Sequence, residues 1–389
     1  MRILLISHTC QSATEGQPKC HELSNIGDIE LCVLVPGQWK HYGRWRNAEI
    51  PVDPPFRFEL GDIRWPWMGP AQSYLHCYRG LRYLMEDFRP DIIDLWEEPW
   101  ALVSAQACRL RNQYFPSARI ISETEQNIEK RLPPPFEQFR RYVLRNADFV
   151  IARNSEAIDL VRRKGYRGEA EVVPNAVDTE LFRPMDRAEC RRQLGIEGFL
   201  LGYVGRFVEE KGLADLVEAV RQSPKEVAAV FVGDGPLRAF LEQTAREPAL
   251  RHRIHVLPAR PLNELPGFMN ALDVLVLPSH TTHRWKEQFG RVIIEAHACG
   301  LPVIGSSSGA IPEVVGDGGI VVPEGDPAQI AGAVRRLIDS PELCSRLGNA
   351  GLSAVKLYYT WQRVADRMNS IYQRTQSTRS ILQPVAVGN

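Results

Sequence analysis

Short apolar runs recur along the chain, and segments of helical periodicity lie between them. In the first half the runs are RILLIS from Arg2, DIELCVLV from Asp28, DIIDLW from Asp91, ARIIS from Ala118 and DFVIA from Asp148. The pattern restarts after residue 198 with FLLGYVG, AAVFVG, RIHVLP, DVLVLPS, LPVIGS and GGIVVP. Between these runs, LADLVEAVRQ and IAGAVRRLID are apolar at i, i+3, i+4 and i+7. Strand-length runs alternating with helical segments predict parallel sheets joined by crossover helices. Two such series predict two doubly wound α/β domains. The stretch VPNAVDTELFRPMD carries turn residues and two prolines, which places the boundary near Asp178–Asp186. The expected layout is an N-terminal domain over 1–180, a C-terminal domain over 181–360, a last helix over 361–376 and a frayed tail over 377–389. Residues 36–70 read as a long irregular insert rich in proline and glycine. Its tryptophans, Trp39, Trp45, Trp65 and Trp67, suit local packing or stacking on a sugar.

Composition narrows the function classes. Lys+Arg and Asp+Glu both number 47, so the basic surplus of a nucleic-acid binder is missing. Hydrophobic residues make up 44% of 389, enough for two cores. Membrane-spanning helices need about 18 or more consecutive apolar residues, and no run approaches that. MRILLIS enters a strand without a basic leader region, so a cytoplasmic protein is expected. The eight cysteines form no CxxC pair and read as reduced packing thiols.

The chemistry concentrates in residues 287–315, EQFGRVIIEAHACGLPVIGSSSGAIPEVV. Arg291–Cys299 has a helical pattern, with Gly290 before it and Gly300 and Pro302 after it. The first turn of that helix, at Phe289, Gly290, Arg291 and Val292, offers unpaired N–H groups and the positive end of a dipole, a site suited to phosphate. Glu287 and Glu295 lie on either side of that helix start, up to about 12 Å apart along the axis. Carboxylates accept hydrogen bonds from sugar hydroxyls, so the pair suits the two ends of a nucleotide sugar. GYVGRFVEEKG, residues 202–212, reads as strand, turn and helix, and puts Arg206 and Lys211 beyond the carboxyl end of the strand. Ligands bind at that edge of open parallel sheets, and two cations there suit a diphosphate leaving group without a metal.

These motifs resemble the retaining glycosyltransferases of family four. The resemblance rests on G-R-x-x-x-x-K-G at Gly205–Gly212, VGDGPLR at 232–238, the Glu287/Glu295 pair, GLPVI at 300–304 and GAIPEVV at 309–315. NAVDTELFRP at 175–184 and the late YYTWQRVADRMNSIYQR at 358–374 fit as well, and the resemblance implies that this last helix crosses back to pack on the N-terminal, acceptor-binding domain. It implies a GT-B fold of two Rossmann-like domains, a nucleoside-diphosphate sugar as donor, and no metal or other cofactor. It also implies that Arg206 and Lys211 hold the diphosphate, Glu295 the ribose and Glu287 the donor sugar. The base would lie near Gly233–Pro236, which includes Gly235, and near Pro258–Arg260, and Gly205 would also belong to the donor site.

On the acceptor side the pattern departs from the family. Glu123, at the end of ARIISE, stands where many relatives carry a histidine, and is expected to orient the acceptor hydroxyl or take its proton. Glu97, Glu98 and Glu125 fall near strand ends and are candidates for the same role. His8, Gly16, Gln126 and Asn127 are further acceptor-side candidates. The acceptor is expected to be a sugar or a lipid-linked glycan in surface-polysaccharide assembly, by family analogy. KRLPPPFEQFRRYVLR, residues 130–145, reads as a basic amphipathic helix, the kind that touches anionic membranes from the cytoplasmic side. His280 and His283 form an H-x-x-H without further ligands, and suit a loop at the donor site better than a metal centre. A nucleotide-sugar epimerase and an inactive sugar-nucleotide-binding protein are the rival readings. A dinucleotide oxidoreductase is disfavoured, since no G-x-G-x-x-G follows a strand.

Overall fold

The computed structural model describes residues 1–41, 44–64 and 71–377. The chain forms two compact units, one made of Met1–Val173 with the segment from Trp361, the other of Pro174–Thr360. The division therefore falls at Val173/Pro174, ahead of the Asp178–Asp186 turn segment. Trp65 and Trp67, and the tail from 378, lie outside the described residues.

The first unit holds β1 (Arg2–Ile6), β2 (Glu30–Pro36), β3 (Gln38–His41), β4 (Arg44–Asn47), β5 (Arg57–Gly61), β6 (Ile92–Leu95), β7 (Arg119–Thr124), β8 (Phe149–Ala152) and β9 (Glu169–Val172). Seven of them form a parallel sheet in the order β5-β2-β1-β6-β7-β8-β9. β3 and β4 pair as a separate antiparallel hairpin. The described part of residues 36–70 is thus more regular than its sequence predicts. β5 and β9 sit at the two edges of the sheet, with exposed and half-buried positions mixed along them, so they lack the apolar signature of the central strands. Trp39 is buried and Trp45 exposed.

The second unit holds β10 (Phe199–Arg206), β11 (Val227–Asp234), β12 (Ile254–Leu257), β13 (Val274–Leu277), β14 (Val303–Ser306) and β15 (Gly319–Val322). Their order is β12-β11-β10-β13-β14-β15, all parallel. The strands are nearly all apolar because they are buried in one core with the helices packed on them, such as Leu213–Gln222 and Pro327–Asp339, whose apolar stripes enter it side by side. The second of these starts where Asp326 accepts the Gln329 N–H at 3.1 Å.

In each sheet the chain first moves outward from one strand and then returns to that strand's other side. The switch points lie between β1 and β6, and between β10 and β13. Adjacent connections there leave in opposite directions and open a crevice at the carboxyl ends. The helix Trp361–Ser377 belongs to the first unit, where it packs on the helix Gln17–Ser24. Tyr372 donates from its hydroxyl to Asp94 Oδ2 at 2.6 Å, and Arg367 and Arg374 both pair with Glu171.

All eight cysteines are free, and seven are buried. No helix of the described residues is long and apolar enough to cross a membrane. The expected basic helix is shorter than its motif, Phe136–Asn146. Arg140 turns inward to pair with Glu137, while Arg141 and Arg145 face solvent.

Candidate functional site

In the second unit β10 ends at Arg206, and β13 leads into Pro278 and Ser279, so both border the switch point. The backbones crowd there. Gly212 sits at φ +66, and a Cβ on it would lie 1.9 Å from the Pro278 carbonyl oxygen. A Cβ on Gly233 would lie 1.9 Å from the carbonyl oxygen of Gly205, its register partner. Only glycine fits either position.

Lys211 Nζ lies 2.6 Å from Glu287 Oε2, and Ser279 donates to the same oxygen at 3.1 Å. The ammonium also sits 4.7 Å from the centre of the Trp285 ring. Glu287 is buried and its carbonyl accepts the Ala310 N–H. Gly290, at φ +81, caps the helix Arg291–Ala298, which ends one residue before the predicted Cys299. Phe289 is buried beside that start, while Val292 and Glu295 lie half-buried along the helix. Arg206 is partly exposed and lies 3.8 Å from Glu210. An open, mainly apolar hollow of about 300 Å³ joins Gly205, Arg206, Gly233, Asp234, Arg260 and Leu265. Pro258 precedes this wall of the hollow in the loop after β12, and Gly235 follows it in the turn after β11. His280 turns to Asp215, with Nε2 2.5 Å from Oδ2, and His283 is exposed. The arrangement offers two cations, a helix N-terminus and a buried carboxylate, the chemistry that grips a diphosphate and a hydroxylated group beside it.

In the first unit the expected acidic residues do converge. His8, Glu97, Glu98, Glu123 and Glu125 line one cavity of about 130 Å³ at the carboxyl ends of the strands. Their environments differ sharply. Glu123 is buried between Lys19, at 2.7 Å, and Arg153, and Trp96 lies against both cations. Burial opposes its charge, but Arg153 and Lys19 outweigh burial and hold the carboxyl below its usual range. Glu98 accepts from the Thr124 hydroxyl at 2.7 Å and the Glu125 N–H at 2.8 Å, and burial pushes its pKa up to about 7. Glu97 pairs with His8. Gly16 begins the helix Gln17–Ser24, where a Cβ would strike the backbone of Cys10. Gln126 and Asn127 bond within their own unit, to the Ile128 carbonyl and to Glu156.

Sequence reasoning missed Lys19, Arg153, Asp94, Ser279 and Trp285. Asp94 gave a signal, a charge inside the apolar run DIIDLW. Lys19 gave none, because QPKCHELS has no clear apolar face.

A family model described as Glycosyltransferase Family 4 matches residues 33–181, and one described as Glycosyl transferases group 1 matches residues 186–353. The D-inositol 3-phosphate glycosyltransferase of Corynebacterium jeikeium is 29% identical over 302 residues, covering 72% of this chain and 68% of its own length. D-inositol 3-phosphate glycosyltransferase 1 of Catenulispora acidiphila is 32% identical over 249 residues, covering 59% and 58%. The chain thus spans about three-fifths to two-thirds of the length of these relatives. Sucrose-phosphate synthase from Thermosynechococcus elongatus superposes with a TM-score of 0.76 at 22% identity, over 97% of this chain and 100% of that one. Anabaena HepE in complex with UDP superposes at 0.73 and 18%, over 96% and 100%. At these identities the two structures speak to the fold, which is GT-B.

Proposed function

Because the chain belongs to the glycosyl transferases group 1 and glycosyltransferase family 4, we propose that it moves a sugar from a nucleoside-diphosphate sugar to an acceptor hydroxyl, with retention at the anomeric carbon. The observation that carries this reading is the Lys211–Glu287 pair beside the Gly290-capped helix start. A diphosphate competes with Glu287 for Lys211 and frees the carboxylate for hydroxyls of the donor sugar. Arg206 supplies the second charge on the leaving group, Glu295 takes the ribose, and the Gly233–Arg260 hollow takes the base. The acceptor belongs to the first unit and is polyhydroxylated, since two relatives are named for an inositol phosphate. Glu123 serves that side as a fixed charge that holds the cavity wall.

Arg206→Ala and Lys211→Ala should each lower turnover by roughly 10²–10³, the scale for losing a charge that stabilises a leaving group. Release of UDP from a panel of UDP-sugars measures this, and HepE, which holds UDP, makes that base the first choice. Turnover within a factor of three of wild type for both variants would rule the assignment out.

Contact with an anionic membrane surface fits the same reading for a lipid-linked acceptor. Arg141, Arg145, Arg163, Lys164 and Arg167 border one hollow of the first unit. Sedimentation with phosphatidylglycerol vesicles should pull the protein down at low salt and release it at high salt. Equal recovery with neutral phosphatidylcholine vesicles would count against contact.

A further inference from the structure

His8 follows β1 and Glu97 follows β6, the two strands that flank the switch point of the first sheet. Glu97 accepts the backbone N–H of His8 at 2.6 Å, and both its oxygens meet Nδ1, at 2.8 and 2.9 Å. A carboxylate so placed keeps a proton on Nδ1 and leaves the lone pair of the neutral ring on Nε2. A second imidazole lies near the carboxylate. His76, fully buried, brings Nε2 to 3.7 Å from the same Glu97 oxygen and has no hydrogen-bond partner there among the described residues. Trp39 fills the space between the imidazoles, stacked on His8 at 4.4 Å and edge-on to His76 at 4.9 Å.

The His8 ring is therefore clamped, yet its side chain is 35% exposed. It borders the acidic cavity on one side and, on the other, a second hollow with Trp39, Arg46, Asn47 and Glu49. In the acidic cavity Glu98 and Glu123 are each held by two donors of the protein. Among the described residues, Nε2 of His8 meets no protein group at hydrogen-bond distance. A half-exposed, oriented imidazole that borders two hollows can receive a hydroxyl at its free nitrogen.

We propose that His8, oriented by Glu97, binds the reacting hydroxyl of the acceptor by accepting its hydrogen bond at Nε2. This rests on reading the first unit as the acceptor side. Its ligand is an alcohol of a polyol or sugar, and Glu97 is a positioning residue. The role belongs to the neutral ring, because a doubly protonated imidazole has no lone pair to offer. Burial disfavours the charged ring, but Glu97, with Glu125 and Glu15 beyond it, outweighs burial and raises the His8 pKa above 6.5. Acceptor use is thus lost as pH falls through that raised value. Removing the Glu97 charge moves the loss to lower pH.

The experiment compares wild type, His8→Ala, His8→Gln and Glu97→Gln. A panel of UDP-sugars serves as donors, with D-inositol 3-phosphate and free hexoses as acceptors. UDP affinity by calorimetry checks the second unit, and melting temperature checks the fold. In His8→Ala, acceptor kcat/KM should fall about 100-fold with UDP affinity within twofold. Glutamine offers an acceptor oxygen at similar reach, so His8→Gln should recover about tenfold of that loss. In Glu97→Gln the acid limb of the kcat/KM profile should move down by about one pH unit. Nitrogen-15 spectra should place the wild-type proton on Nδ1. Acceptor kcat/KM within threefold of wild type in His8→Ala, or an acid limb that stays put in Glu97→Gln, overturns the proposal. A wild-type protein that transfers sugar from none of the donors overturns the glycosyltransferase reading itself, and the wild-type control tells the two failures apart.

Discussion

Glu98 shows how much a single buried carboxylate determines. Burial lifts its pKa from 4.5 to about 7, against the pull of the Thr124 hydroxyl and the Glu125 N–H. A carboxyl whose folded pKa exceeds its unfolded one binds its proton more tightly when folded. Its contribution to stability is therefore complete below about pH 4.5 and is lost as pH rises through about 7. Glu98→Gln should remove that loss. The variant should be more stable than wild type by about 3 kcal/mol near pH 8, with little difference near pH 4. Urea unfolding at the two pH values measures it, and equal differences at both would contradict the burial argument. Asp94, pushed the same way by burial, keeps its own slope in the variant. At this scale the sequence was only half legible. Lys211, Glu287 and Gly290 announced themselves because their motif and spacing are local. The partners of Glu123 did not, because Lys19 and Arg153 are 104 and 30 positions away. Only the folded sheet brings such separated charges together.

Elements were legible where their residues are apolar. Each of the eleven apolar runs read from the sequence overlaps a strand: nine of these lie inside their sheets, where cover on both faces demands apolar residues, and β12 and β15, at the edges of the second sheet, are apolar enough to read as well. β5 and β9, at the edges, and the β3–β4 hairpin carry too many polar residues to show such a run. The helix Trp361–Ser377 was legible as a helix, and its partner was known only through resemblance. It buries Val364, Ala365, Met368, Ile371 and Tyr372 in the first unit. Full burial of such side chains is worth about 1.5–3 kcal/mol each for the larger ones, which together rivals the 5–15 kcal/mol stability of a whole domain. Removing the chain after Thr360 should therefore abolish the melting transition of the first unit and spare that of the second. Calorimetry would show one transition, still raised by UDP. Two transitions at wild-type temperatures would mean the helix is dispensable.

At the scale of the whole molecule, the second unit is one uninterrupted stretch and the first is not. Ligand response should divide along that line, because the proposed diphosphate site lies wholly within Pro174–Thr360. The interruption also matters while the protein is being made. Domains usually fold in the order in which the ribosome delivers them. Here the segment up to Val173 emerges first but lacks its final helix until residue 377 has been added. That is roughly 200 residues later, or about 10–40 s at 5–20 residues per second. Throughout that interval the apolar groove meant for Met368 and Tyr372 is open on a nascent chain. The half that starts second can finish first, and the opening half waits on a chaperone's tolerance for its exposed face.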